Sequence, residues 1–202
     1  MKQSKFWIIY TFFRKCFHRL FSITRSFLLL RREMDPVSIE NDYCVFEVMG
    51  GGDLLKGNLD DCSEFENSKV YVPIYKQFIE AGDLVVFAYR KADNKCIARA
   101  CVQLHGKIVS EGSVERTLGR NEGYVHYVFC KSSDRGHGVH NNMINFICKY
   151  LKEYSLYAIV KENNTPSLKG FYRNGFKNIE LLTQKNIVGF RKLVRKEIEN
   201  EN

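Results

Sequence analysis

The chain has 202 residues, enough for one domain with a sizeable core and an extension. Its hydrophobic fraction of 45% and charged fraction of 27% are those of an ordinary soluble globular protein. The formal charge of +8 suggests nucleic acid only until it is mapped: residues 1–33 hold eight basic residues against Glu33, which leaves +1 on the rest. The basicity belongs to an N-terminal arm, and no specific nucleic-acid partner is expected.

Cysteines stand at 16, 44, 62, 96, 101, 130 and 148. The count is odd and no pair has Cys-x-x-Cys spacing, so neither a disulfide framework nor a metal site is expected. They read as reduced thiols of a cytoplasmic protein, most of them core residues.

In chain order, Lys2 and Lys5 followed by Phe6–Phe13 imitate the start of a signal peptide. No small-residue cleavage site follows, and the apolar run is too short to span a bilayer. Wound as a helix, the arm gathers Arg14, Lys15, His18, Arg19, Ser22, Arg25 and Ser26 in one arc. Phe6, Ile9, Tyr10, Phe13, Phe17, Leu20, Phe21, Phe27 and Leu28 fall opposite. This N-terminal amphipathic helix suits an anionic membrane surface, which would make the protein peripheral on the inner face of the membrane. The same pattern suits packing on the domain or on a second subunit of a homodimer, and Met34 as the true start would leave the arm outside the protein. The expected layout is an arm over 1–34 and a single domain over 35–202.

Asp35-Pro36 ends the helix. Tyr43–Met49 reads as a strand stopped by Gly50-Gly51-Gly52, and Asn58–Phe65 and Pro73–Ala81 as short helices. Leu84–Arg90 and Cys96–Leu104 form a hairpin around Lys91–Lys95. Then follow strand Tyr124–Cys130, helix Val139–Tyr154, strand Leu156–Val160, short helix Pro166–Arg173 and terminal strand Ile187–Val194. Hairpin strands followed by strand–helix–strand–helix–strand mean an α/β fold with a mixed sheet.

The chemistry lies where strand Tyr124–Cys130 runs through Lys131-Ser132-Ser133-Asp134 into Arg135-Gly136-His137-Gly138-Val139-His140, which opens a helix. Two glycines at such a turn let the backbone approach a ligand, and the helix N-terminus offers free N–H groups and a positive dipole end to phosphate. A Rossmann fingerprint needs a third glycine and a P-loop needs Gly-Lys-Ser/Thr; neither is present. After the next strand, Asn164 leads Thr165-Pro166-Ser167-Leu168-Lys169-Gly170-Phe171-Tyr172-Arg173-Asn174-Gly175-Phe176, a short helix that ends in Gly-Phe.

This pair of segments resembles the GNAT acetyltransferase superfamily over residues 84–194. Arg135–His140 resembles its pyrophosphate loop, Arg/Gln-x-x-Gly-x-Gly/Ala, and Asn164–Phe176 its second cofactor motif. The resemblance implies a mixed, mostly antiparallel sheet with splayed central strands flanked by helices. It implies acetyl-CoA as co-substrate and no metal. The backbone of Val128, Phe129 and Cys130 would pair with the pantetheine arm. Beyond Arg135, the N–H groups of Gly136, His137, Gly138, Val139 and His140 would hold the pyrophosphate, with Asn164 beside the cofactor. One departure stands out: His140 fills a position that is usually Gly or Ala, so its side chain must turn away from the phosphates or contact them.

The family transfers acetyl directly to an amine, which must lose a proton while the CoA thiolate benefits from gaining one. His126 lies four residues before Cys130, on the same face if the strand is regular, and is the first candidate base. Glu122 at the strand's mouth is the second, and Tyr124 the third. Relatives often place a tyrosine acid four residues before the Gly-Phe glycine. Here that slot is Phe171, and neighbouring Tyr172 fits only if the helix is shifted. The expected function is N-acetylation of a primary amine of unidentified class. Phe171 and His140 keep open a non-catalytic acyl-CoA-binding module, and the arm keeps open an acyltransferase acting on a lipid-linked or cell-envelope precursor.

Overall fold

The computed structural model describes residues 23–33, 35, 41–50, 68–109, 115–187 and 190–198. Their strands are β1 (Ile23–Arg32), β2 (Cys44–Gly50), β3 (Leu84–Arg90), β4 (Cys96–Gln103), β5 (Lys107–Val109), β6 (Glu115–Thr117), β7 (Glu122–Cys130), β8 (Ser155–Lys161), β9 (Phe176–Ile187) and β10 (Phe190–Glu197). The helices are α1 (Ser68–Glu80), α2 (Val139–Tyr150) and α3 (Thr165–Arg173). Eight strands form one sheet in the order β10-β9-β1-β8-β7-β4-β3-β2, and β5 and β6 make a separate hairpin. Every neighbour pair in the large sheet is antiparallel except β7 with β8. This is the expected α/β architecture with a mixed, mostly antiparallel sheet.

The N-terminal reading is corrected in its last third. Ile23–Arg32 is a strand of the domain, not the end of an amphipathic helix, and it lies between β8 and β9 with partners on both sides. Phe27–Leu30 supplies the reason. In a strand, alternate side chains point to opposite faces. Phe27 and Leu29 join Tyr124, Tyr157 and Leu182 on one face, and Leu28 and Leu30 join Val160 and Met143 on the other. A strand buried on both faces reads as an unbroken apolar run, which at this length imitates a helix. The boundary placed at residue 34 therefore cuts through the folded unit. Residues 1–22, and with them the membrane-facing pattern, lie outside the described residues, as does the helix expected at 58–65.

Arg32 ties the end of β1 to the far end of α2. Its guanidinium donates to the carbonyl of Cys148 (2.7 Å), which the helix C-terminus leaves without an intrahelical partner, and to those of Lys152 (2.8 Å) and Tyr154 (2.7 Å) in the segment that follows α2.

The helices cover the sheet unevenly. Val139, Met143, Ile144, Ile147 and Cys148 of α2, with Leu168 and Phe171 of α3, pack on one face. Tyr75 and Phe78 of α1 cover β3 and β4 on the opposite face, and Ile108 and Leu118 flank the neighbouring cluster around Tyr124. No helix among the described residues is long and apolar enough to cross a membrane.

Candidate active site

β7 and β8 pair over only four residues, Glu122–Val125 against Ser155–Ala158. Beyond Val125 they part, β7 continuing along β4 to Cys130 and β8 along β1 to Lys161. β7 also carries one residue more than β4 between His126 and Phe129, and at this bulge Tyr127 takes a φ of +48°. The bulge reverses the alternation of faces. His126 meets Phe78 of α1 with ring centroids 4.9 Å apart, whereas Val128 and Cys130 pack on the α2 side. The shared face expected for His126 and Cys130 is therefore corrected, because the strand is not regular between them.

Two cavities border the parted strands. A cavity of 590 Å³ is lined by Val128, Phe129, Cys130, Arg135, Gly136, Gly138, Val139, His140 and Asn164, which unites nine of the ten residues expected around the cofactor. A second cavity of 730 Å³ on the other side is lined by Phe78, Asp83, Tyr124, His126 and Tyr127. Val128, Asn164 and Ser167 line both, so the two meet where β7 and β8 separate.

The turn into α2 has the form that its glycines predict. Gly136 has a φ of +88°, and Gly138, the N-cap, a φ of +73°, where a Cβ is strained. Asn142 N–H bonds the Gly138 carbonyl at 2.9 Å, leaving the first-turn N–H groups of Val139, His140 and Asn141 to face the cavity end of the helix. Their positive end of the dipole is joined by Arg135, Lys169 and Arg173 in the cavity lining. His140 turns away from this turn. Its ring packs edge-on to Phe171 (5.8 Å) and against Gly170, where any Cβ would collide with it. Burial lowers its pKa and keeps it neutral. His137 is exposed and lies outside the lining, its ring stacked on Tyr43 at 4.3 Å and 4°. Asn164 caps α3 by accepting from Ser167 N–H (3.4 Å).

The acid–base candidates separate. The His126 ring stacks on Tyr124 (5.1 Å, 18°), and its Nε2 is buried with no hydrogen-bond partner among the described residues. Burial pulls its pKa from 6.5 to about 4, so the ring is neutral at physiological pH. Glu122 lines neither cavity. It accepts from Arg116 (2.8 Å), Tyr157 (2.9 Å) and the Gly119 N–H (2.8 Å). Burial works against its charge, but these bonds outweigh it and hold the carboxyl below its ordinary pKa. Tyr172 points outward, its hydroxyl on Asn178 Oδ1 (2.9 Å), while Phe171 faces the 730 Å³ cavity. The structure thus brings neither Glu122 nor Tyr172 to the gap. The Cys130 thiol is pushed up to about 11 by burial and then by Asp134, which keeps it protonated and inert.

Sequence comparison decides the family. The profile of the acetyltransferase (GNAT) family matches residues 53–176, more than half of the chain and all of the Arg135–His140 turn. The chain belongs to the GNAT acetyltransferase family. No curated protein matches it by sequence. Among solved structures, a GCN5-related N-acetyltransferase from Sphaerobacter thermophilus superposes with a TM-score of 0.57 at 12% identity, over 95% of this chain and 58% of that one. A GNAT acetyltransferase from Colwellia psychrerythraea gives 0.53 at 13%, over 94% and 62%. A glucosamine N-acetyltransferase region of a fungal multi-domain β-N-acetylglucosaminidase gives 0.55 at 13%, over 96% and 23%. At these identities the likeness is one of fold, and the chain spans about three fifths of the first two proteins.

Around the gap stand residues that motif reading did not single out. Lys169 and Arg173 stand four apart on α3, so one helical turn puts both on the cavity side. That spacing was available from Asn164 onward. Asp83 is the only carboxylate among the described residues lining the 730 Å³ cavity. Its Oδ1 accepts from Leu104 N–H (2.8 Å) and lies 3.5 Å from His105 Nδ1, and burial raises its pKa. No local sequence signal marks it. Among the described residues, no cluster of His, Cys, Asp and Glu could hold a metal ion.

Proposed function

We propose that this protein transfers the acetyl group of acetyl-CoA to a primary amine, with the thioester reaching the gap from the 590 Å³ cavity and the amine from the 730 Å³ cavity. One observation carries the reading: both cavities open on the same parting of β7 and β8, with the phosphate turn on one side and His126 on the other. Arg135, Lys169, Arg173 and the α2 N-terminus offer positive charge to the phosphates of CoA. Tyr127–Cys130 borders the gap beyond the β7–β8 ladder and suits an extended pantetheine amide chain.

On the acceptor side, Asp83 draws an ammonium group into a cavity walled by Phe78, Tyr124 and Tyr127. The ammonium group first gives one proton to solvent; the neutral amine then attacks the thioester carbonyl, the new C–N bond forms as the C–S bond breaks, and the second amine proton passes to His126 Nε2. His126 is suited to this because its ring is already neutral and that nitrogen has no competing partner among the described residues. The CoA thiolate leaves and takes a proton from water, since Tyr172 faces outward.

Release of free CoA on mixing acetyl-CoA with a panel of amines tests the reading. Gly138→Asp should abolish CoA binding, because it places a side chain at φ +73° and a carboxylate at the phosphate end of α2. Unchanged CoA affinity in a folded Gly138→Asp protein would sink the cofactor assignment. The outward Tyr172 favours a second reading, an acyl-CoA-binding module without turnover. CoA binding with no CoA release across the amine panel would establish it.

A further inference from the structure

Asp134 is fully buried, immediately before the phosphate turn, and plays no part in the proposed chemistry. Three residues converge on it. The Tyr43 hydroxyl donates to Oδ1 (2.7 Å) and the Ser133 hydroxyl to Oδ2 (2.5 Å). Arg90, at the end of β3, donates through Nε to Oδ1 (3.1 Å) and through Nη2 to Oδ2 (3.3 Å). The Asp134 N–H in turn bonds the Lys131 carbonyl (3.0 Å), and Lys131 N–H bonds the Ile97 carbonyl of β4 (2.9 Å). Burial alone would push the carboxyl up, but the donors from Ser133 and Tyr43 and the charge of Arg90 reverse this and keep it ionised.

The same tyrosine reaches the turn by a second route. Its ring stacks on His137, the residue between Gly136 and Gly138. Both glycines have positive φ, and a Cβ at Gly136 would meet nothing within 4 Å among the described residues, so no packing by them at that point holds the loop in shape. An unbraced Gly-x-Gly segment would lose conformational freedom on binding phosphate, at the expense of affinity. The bracing comes from behind, through Asp134 and Tyr43.

Resting on the acetyl-CoA reading above, we propose that Asp134 is a positioning residue for the cofactor: with Arg90 and Tyr43 it fixes the Arg135–His140 turn in its phosphate-binding shape. Tyr43 and Arg90 belong to the β2–β3 side of the sheet, so this half of the domain supports a loop that the sequence places some ninety residues away from Tyr43.

The test uses the full chain and two measurements, CoA binding by calorimetry and steady-state kinetics with acetyl-CoA and an amine. Asp134→Asn keeps the shape but removes the charge that Arg90 faces. It should raise the CoA Kd and the acetyl-CoA KM about tenfold, the scale of one lost charge-assisted bond. The amine KM and the kcat at saturating acetyl-CoA should stay within about twofold, a split that a general loss of structure would not produce. Tyr43→Phe, which keeps the stack and loses the hydroxyl, should give a smaller rise of the same kind and serves if Asp134→Asn does not fold. Wild-type CoA affinity retained in both variants overturns the proposal, as does a fall in kcat or a rise in amine KM of equal size. Failure of the wild-type protein itself to bind CoA overturns instead the reading on which it rests.

Discussion

Replacing His126 with phenylalanine should flatten the acid side of the stability curve. The ring is held neutral by burial, with a folded pKa of about 4 against an ordinary 6.5. Above pH 6.5 it is neutral in both folded and unfolded chains and contributes no pH dependence. Below that value the unfolded chain takes up a proton that the folded protein refuses, so stability falls with pH. The fall ends near pH 4, where the folded ring also protonates. Across this window of about 2.5 pH units, at about 1.4 kcal/mol per unit, the full loss is about 3.5 kcal/mol, of which about 3 kcal/mol is reached at pH 4. Phenylalanine can keep the contacts with Tyr124 and Phe78 while removing the titration and an Nε2 that has no partner among the described residues. Urea unfolding of both proteins at pH 7.5, 6, 5 and 4 isolates the effect, because the carboxylates are common to both and cancel in the difference. The wild type should lose about 3 kcal/mol more than His126→Phe between pH 7 and 4. Parallel curves would refute the burial argument, and the neutral-base role with it.

The remaining expectations concern the corrected elements. Leu30→Ala, in a fully buried position of β1, should lower stability by about 2–5 kcal/mol in urea titrations, whereas a helix outside the domain would lose almost nothing. Glu122→Gln and Tyr172→Phe should each leave kcat within about twofold in the CoA-release assay, since neither side chain lines a cavity. Glu122→Gln should still lower the melting temperature, because Arg116 and Tyr157 both lose a charged acceptor.

The Arg135–His140 side of the gap was legible because its constraints are local. Two glycines that need positive φ, a helix start and an Asn cap are written within a few residues of one another, and each folds as its own chemistry dictates. The side around the 730 Å³ cavity was legible only in part. His126 was visible as a titratable residue of β7, but the bulge that turns it from Cys130 arises from pairing with β4 and leaves no mark in β7 itself. β9 escaped because polar Gln184 is buried in it and Asn178 and Glu180 interrupt the apolar pattern. β1 was mistaken for a helix because burial on both faces erases the two-residue period that identifies a strand. Asp134 reads as a loop carboxylate in Ser132-Ser133-Asp134, and only the fold brings Tyr43 and Arg90 to it.

The place of β1 has a consequence for how the molecule comes into being. The strand is made well before its neighbours β8 and β9, and Arg32 meets the Tyr154 carbonyl 122 residues further on. During translation, Phe27–Leu30 must wait as an exposed apolar segment until nearly the whole domain has left the ribosome. Until then β8 and β9 have open edges on either side of an empty slot, each able to recruit the wrong strand. Closing the sheet is therefore a late, long-range event, and such contacts slow folding. The step that completes the central sheet belongs to the earliest made of the described strands.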